Sequence, residues 1–189
     1  KCYTTMPEKR IRKKPSNGSF IHEFPLKVSK HSEKKYNIKF NAAKELYNAI
    51  LGELFKRHNL MLSDNRYQHA RELYKQDNSK AEAQTIFDNL RVEYKITKND
   101  LQKLAKDIKN KCYMKDHLDS VSIQKLSDRV FDTYYKWVCK KGGKPRFKSW
   151  KNGIRSMEGK SNTCLSFKNN IFSWNGIKSE IILQNNDKY

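Results

Sequence analysis

The sequence predicts an α+β protein in which a helical block interrupts a β module. Three observations carry this reading. Hydrophobic periodicity passes from two to helical and back to two; turn signals punctuate the last stretch; and positive charge collects at the two β ends. The chain has 40 Lys and Arg against 20 Asp and Glu, a formal net charge of +20. Residues 1–40 hold 11 basic and 3 acidic side chains, residues 141–189 hold 10 and 3, and the hundred residues between hold 19 and 14. A surface charged only for solubility has no reason to be so uneven. Ends that meet in space make one strongly positive module beside a more balanced one.

Residues 1–18, with Lys9-Arg10-Ile11-Arg12-Lys13-Lys14-Pro15, read as a flexible basic arm. From Ser19, Phe20, His22, Phe24, Leu26 and Val28 share one parity, and Pro25 demotes the segment to an edge strand or bulge. Tyr36, Ile38 and Phe40 alternate again and read as a second strand, after a polar turn at His31-Ser32-Glu33-Lys34-Lys35.

At Asn41 the period turns helical, with Ala43, Leu46, Tyr47, Ile50, Leu54 and Phe55 on one stripe. A second helix is expected at about 64–76, with Tyr67, Ala70, Leu73 and Tyr74 inward. The capping-box pair Ser79 and Glu82 opens a third. Thr97 caps a fourth, carrying Leu101, Leu104, Ala105 and Ile108, and Asp119 or Ser120 starts the fifth and longest run.

Gly142, Gly143 and Pro145 end the helical part. Then Leu165/Phe167, the turn Asn169-Asn170, Phe172/Trp174 and the hairpin signal Asn175-Gly176 lead into Ile177, Ile181 and Leu183 as a β-meander.

The charge points to a polyanionic partner, most simply nucleic acid, rather than to a neutral-surfaced metabolic enzyme. No run of about 18 apolar residues suggests a membrane span, and the basic opening lacks the apolar region of a signal peptide. Cys2, Cys112, Cys139 and Cys164 form no C-x-x-C pair, so reduced thiols are expected rather than a zinc ribbon. No phosphate-binding glycine loop, H-E-x-x-H or G-x-S-x-G motif is present. Asp116 and His117 with Asp119 are the nearest approach to a ligand set, and Asp119 is better explained as a helix cap. No catalytic residue is therefore named.

The segment Gly143-Lys144-Pro145-Arg146-Phe147-Lys148-Ser149-Trp150-Lys151 is more informative. In an extended chain its cations and aromatics separate, so one side can grip phosphates while the other anchors in protein or stacks on a base. The alternative is a basic loop whose aromatics only plug a core. Arg155-Ser156-Met157-Glu158-Gly159-Lys160-Ser161-Asn162-Thr163 follows as a polar loop beside those cations, and Ser120 and Gln124 share one side of the last helix. Gln124 is of the type that bonds bidentately to adenine, and equally of the type that sits solvated on a surface.

Taken in order, Leu46-Tyr47-Asn48-Ala49-Ile50-Leu51-Gly52-Glu53, His117-Leu118-Asp119-Ser120 with Gln124-Lys125-Leu126, Gly143 to Lys148, and Ser156 to Asn162 before the meander resemble one known family. It is the N-terminal half of the transposon-encoded TnpB proteins and their relatives, the compact type V CRISPR effectors. The likeness covers roughly residues 19–187. It implies a wedge domain, an OB-like β-barrel, split by a helical recognition domain: wedge at 19–40, recognition at 41–142, wedge again at 143–189.

It also implies a guide RNA and a double-stranded target DNA as partners, in a bacterial or phage-encoded protein of the cytoplasm and nucleoid. Thr97, Ser120, Gln124, Ser161, Asn162 and Thr163 would face a motif flanking the target. Lys144, Arg146, Lys148, Lys151, Arg155 and Lys160 would hold nucleic-acid backbone. The family's RuvC nuclease carboxylates, with their Mg²⁺, have no counterpart in the sequence, which suggests a piece of a longer nuclease. A nuclease-inactive guided repressor and a guide-independent structural RNA-binding protein are the alternatives.

Overall fold

A computed structural model describes residues 23–183. Strand β1 (Leu26–Lys27) leads into a helical block: α1 (Lys30–Leu62), α2 (Asn65–Leu73), α3 (Lys80–Glu93), α4 (Lys98–Asn110) and α5 (Ser120–Val138). After an irregular segment the chain closes with β2 (Leu165–Lys168), β3 (Ile171–Trp174) and β4 (Ile177–Ile181). The strands form one antiparallel sheet in the order β1-β4-β3-β2. The protein is therefore α+β, and segments about 150 residues apart pair directly, Leu26 opposite Ile181 and Lys27 opposite Glu180. Among the described residues no helix is long and apolar enough to cross a membrane.

Helix α1 corrects the expectation of a strand at Tyr36–Phe40. Ser29 caps it by accepting from the Ser32 amide at 3.1 Å, and the 33-residue helix then runs without a break. Tyr36, Ile38 and Phe40 fit a period of two, but Tyr36 and Phe40 are also one helical turn apart and continue into Ala43 and Tyr47. Ile38, which alternation puts on the same face, is instead 44% exposed. The stretch His31–Lys35 is the helix's first turn rather than a loop. The expected 40/41 boundary thus falls inside α1.

With residues 30–40 helical, β1 contributes only two paired residues and the sheet stays open, so the described strands do not close into an OB-like barrel. Pro25 is placed as an edge position requires: β1 is an outer strand, and the Pro25 carbonyl accepts from the Ile182 amide at 2.9 Å. The meander forms as expected. Asn169-Asn170 and Asn175-Gly176 all take positive φ, the conformation of two-residue hairpin turns. Its last strand stops at Ile181, before Leu183. The basic arm, Phe20 and His22 lie outside the described residues.

The core follows the predicted stripes. Leu46, Ile50, Leu51 and Leu54 of α1 are fully buried against Leu101 and Ala105 of α4 and Ile123, Leu126 and Val130 of α5. The sheet docks on the N-terminal third of α1 through aromatic rings. Trp174 stacks on Tyr36 (6.0 Å, 21°) and meets Phe40 edge-on (6.0 Å). The Lys39 ammonium lies 5.4 Å over the same indole and donates to the His117 carbonyl at 2.7 Å. Burial pulls the Lys39 pKa down, and the charge of Asp119 only partly restores it.

Asp119 ties the two halves together. It caps α5 by accepting from the Ser122 amide (2.8 Å) and hydroxyl (2.6 Å), and it also accepts from Asn175 Nδ2 in the β3–β4 turn (2.7 Å). Burial pushes its carboxyl up, and the hydrogen bonds from Ser122 and Asn175 outweigh that and hold it below the ordinary aspartate value. Asp119→Ala is expected to cost about 1–2 kcal/mol, read as a lower midpoint in thermal denaturation. Because folding lowers this pKa, the carboxylate's contribution is complete above its ordinary value of 3.8 and is lost as the pH falls below it. The stability difference between wild type and variant should therefore shrink in acid.

Candidate nucleic-acid interface

Helix α5 ends at a left-handed residue, Lys140 (φ 55°), whose neighbour Lys141 donates back to the Lys136 carbonyl at 2.7 Å. The sequence pointed to the glycines for this stop. The chain reverses and runs extended along α1. There the Asn48 side chain treats Lys148 as a strand would: Oδ1 accepts from the Lys148 amide (2.7 Å) and Nδ2 donates to its carbonyl (2.9 Å). Pro145 is buried beside it, and Phe147 meets Phe55 edge-on at 6.1 Å. Trp150 points away and is 81% exposed, with the Lys44 ammonium 5.1 Å over its ring. Neither aromatic plugs a core: Phe147 rests on Phe55 but is 55% exposed, and Trp150 is more open still.

This anchoring shapes a cavity of about 530 Å³ walled by Tyr47 of α1, Arg129 and Thr133 of α5, and the chain from Lys144 to Ser156. Lys144, Arg146, Lys148 and Arg155 line it together with Arg129, and no carboxylate does so among the described residues. Arg129 is partly neutralised, since it donates to Glu158 (2.9 Å) and to the Ser156 carbonyl (3.1 Å), and acts as a strut between α5 and the loop. Lys148 lies 5.4 Å over the Tyr47 ring and Lys144 lies 5.1 Å over Phe55, so both stems rest on aromatic faces. Arg146 and Arg155 have no acidic partner among the described residues. Behind the cavity, His58 is buried and bonded to the Tyr134 hydroxyl at 2.8 Å. Burial and the Lys144 charge hold its pKa down, so the imidazole is neutral at physiological pH.

Four of the six side chains expected to hold backbone thus converge on one cavity. Lys151 and Lys160 are exposed and lie outside its walls. The expected motif readers are more dispersed. Thr97 is engaged as the α4 cap, accepting from the Asp100 amide at 3.2 Å and donating to its carboxylate. Ser120 is exposed on the first turn of α5, and Gln124, one turn on, donates to Gln102 Oε1 at 3.1 Å. Ser161, Asn162 and Thr163 form an exposed turn, closed where the Asn162 amide (φ 58°) donates to the Leu165 carbonyl at 2.8 Å.

Asn175 links that turn to α5: its amide donates to the Cys164 carbonyl (3.1 Å) and its side chain to Asp119, the residue before Ser120. Sequence reasoning named neither Asn175 nor Arg129 for the site. The hairpin signal at Asn175 concealed its second bond, and nothing in the spacing of α5 distinguishes Arg129 from other exposed cations. No family model matches this chain, and no match to it was found among curated proteins or solved structures.

Asn48→Ala is expected to free the extended segment by about 2 kcal/mol, two modest hydrogen bonds lost together. Amide exchange at Lys148 should rise by roughly thirtyfold while exchange within α4 stays unchanged, measured by hydrogen–deuterium exchange.

Proposed function

We propose that the chain is the nucleic-acid-binding part of an RNA-guided DNA-targeting protein of the TnpB and type V kind. One observation carries the reading most: Lys144, Arg146, Lys148 and Arg155, expected to contact backbone, line a single carboxylate-free cavity. Phosphate contacts of this type supply affinity without sequence information. The pairing of β1 with β4 supports the same reading, because it joins the two charge-rich ends of the chain. In this reading the open sheet is part of a wedge whose closure into a barrel takes a further strand. The guide RNA supplies specificity by pairing, and Ser120, Gln124 and the 161–163 turn read a short flanking motif on the target duplex.

Cutting is not assigned to these residues. Among the described residues no group of three or more His, Cys, Asp or Glu converges on a point. A second reading, RNA binding without a guide, draws support from the engagement of Thr97 with Asp100 and of Gln124 with Gln102, which leaves fewer groups free to read bases.

Sequencing the RNA that co-purifies with the chain separates the two. One defined small RNA is expected; a heterogeneous set of ribosomal fragments contradicts guidance. Within the guided reading, Gln124→Ala should change tolerance in a flanking-motif library and leave guide-RNA affinity within about twofold, since no phosphate contact is lost. Arg146→Ala should weaken binding to every sequence and reduce the salt slope by about one phosphate contact. Equal behaviour of the two variants in both assays contradicts the division into readers and clamps.

A further inference from the structure

A second cavity, of about 380 Å³, opens on the other side of α5, between α2, α3 and the C-terminal end of α1. Its size falls within the range of small-molecule pockets, about 300–1,000 Å³. Six aromatic rings line it: Tyr67, Tyr74, Phe87, Phe131, Tyr134 and Tyr135. Phe131 and Tyr135 stack at 5.8 Å with planes 18° apart, and Tyr67 meets Phe87 at 5.2 Å with planes tilted by 60°. Three cations join them, Arg71, Arg91 and Lys140, and no carboxylate lines the cavity among the described residues.

We propose that this cavity binds one nucleotide unit, the aromatic walls taking the base and the cations its phosphate. An apolar molecule has no use for three cations, and a simple inorganic anion has none for six rings; a nucleotide carries a flat π-face and a negative charge within one unit. Arg91 is partly neutralised, since Asp88 accepts from it at 2.8 Å, and its guanidinium lies 5.8 Å over Tyr135, so Arg71 and Lys140 are the cations left to meet the phosphate. Gln84 donates through Nε2 to the Asp88 carboxylate at 3.0 Å and keeps its amide oxygen to accept from a base amino group. The back wall is rigid, because the Tyr134 hydroxyl is bonded to buried His58 at 2.8 Å. Helix α5 separates this cavity from the phosphate-gripping one: Arg129 and Thr133 face the first, Phe131 and Tyr135 the second. The site does not depend on guidance, since a free nucleotide and a base splayed out of a bound strand present the same chemistry.

The test uses the 189-residue chain, titrated with AMP and UMP by NMR and photocrosslinked to an oligonucleotide carrying 4-thiouridine, with adducts mapped by mass spectrometry. Saturable mononucleotide shifts in residues of α2, α3 and α5 support the site with a free nucleotide as ligand. Adducts between Tyr67 and Phe87 or between Phe131 and Tyr135 support it with a strand as the source. Arg71→Gln, which removes a phosphate contact, or Tyr135→Leu, which removes a stacking face, should weaken either signal about tenfold, while Tyr135→Phe retains it. Arg71 is exposed and its replacement leaves the core intact, so the test does not hinge on a variant that fails to fold. Absence of saturation with both nucleotides, with adducts confined to Lys144–Arg155, overturns the nucleotide site and leaves the phosphate cavity standing. Unchanged binding by both weakening variants overturns it equally.

Discussion

The arrangement depends on one continuous helix being buried along most of its length. Helix α1 presents Tyr36 and Phe40 to the sheet, Asn48 to the extended segment, Leu46 to Leu54 to α4 and α5, and Met61 to the second cavity. A 33-residue helix spans about 50 Å, more than a single compact core needs. That length lets it serve as a common wall for the sheet, the extended segment, α4 and α5, which also touch one another through α4–α5 packing and the Asn175–Asp119 and Arg129–Glu158 contacts. Such a helix gains little from propensity alone and is stabilised by what packs on it. The basic cavity exists because Asn48 holds the returning chain at a fixed distance from α5.

Electrostatics then determines what that geometry can do. Five cations around one cavity repel each other, and among the described residues only Arg129 has a local carboxylate to offset its charge. The Lys144 and Lys148 stems rest on Tyr47, Phe55 and Trp137, where ring faces stabilise ammonium groups without neutralising them. A field left unbalanced in this way attracts polyanions and steers them at low salt, with a steep dependence on ionic strength. The second cavity combines fewer cations with more aromatic surface, which shifts its preference from a phosphate backbone toward a single base.

The sequence was most legible where one local signal acted alone. Thr97 and Asp119 cap their helices as their side chains imply, and Asn175-Gly176 forms its turn. It misled at Tyr36–Phe40, where Tyr36 and Phe40 satisfy both periods and the capping serine at position 29 and the stripe beyond Asn41 break the tie. Among the described residues the sheet stays open, because that segment is helical and supplies no second strand. At the site, Pro-Arg-Phe-Lys was readable as a cationic, extended run, but its partners were not. Asn48 and Arg129 act across about 100 and 27 residues of sequence, and no local pattern marks a hydrogen bond to a distant backbone.

The central claim, that one cavity concentrates the phosphate grip, is tested most directly by neutralising it as a unit. With Arg146, Lys148 and Arg155 all changed to Gln, the plot of log binding constant against log salt for single-stranded RNA should lose about 2 from its slope, roughly 0.7 for each phosphate contact removed. A matched variant with three lysines of α4 changed, Lys103, Lys106 and Lys109, should keep the wild-type slope. Equal losses in the two variants would mean that affinity follows overall charge, and the cavity would have no special part in it.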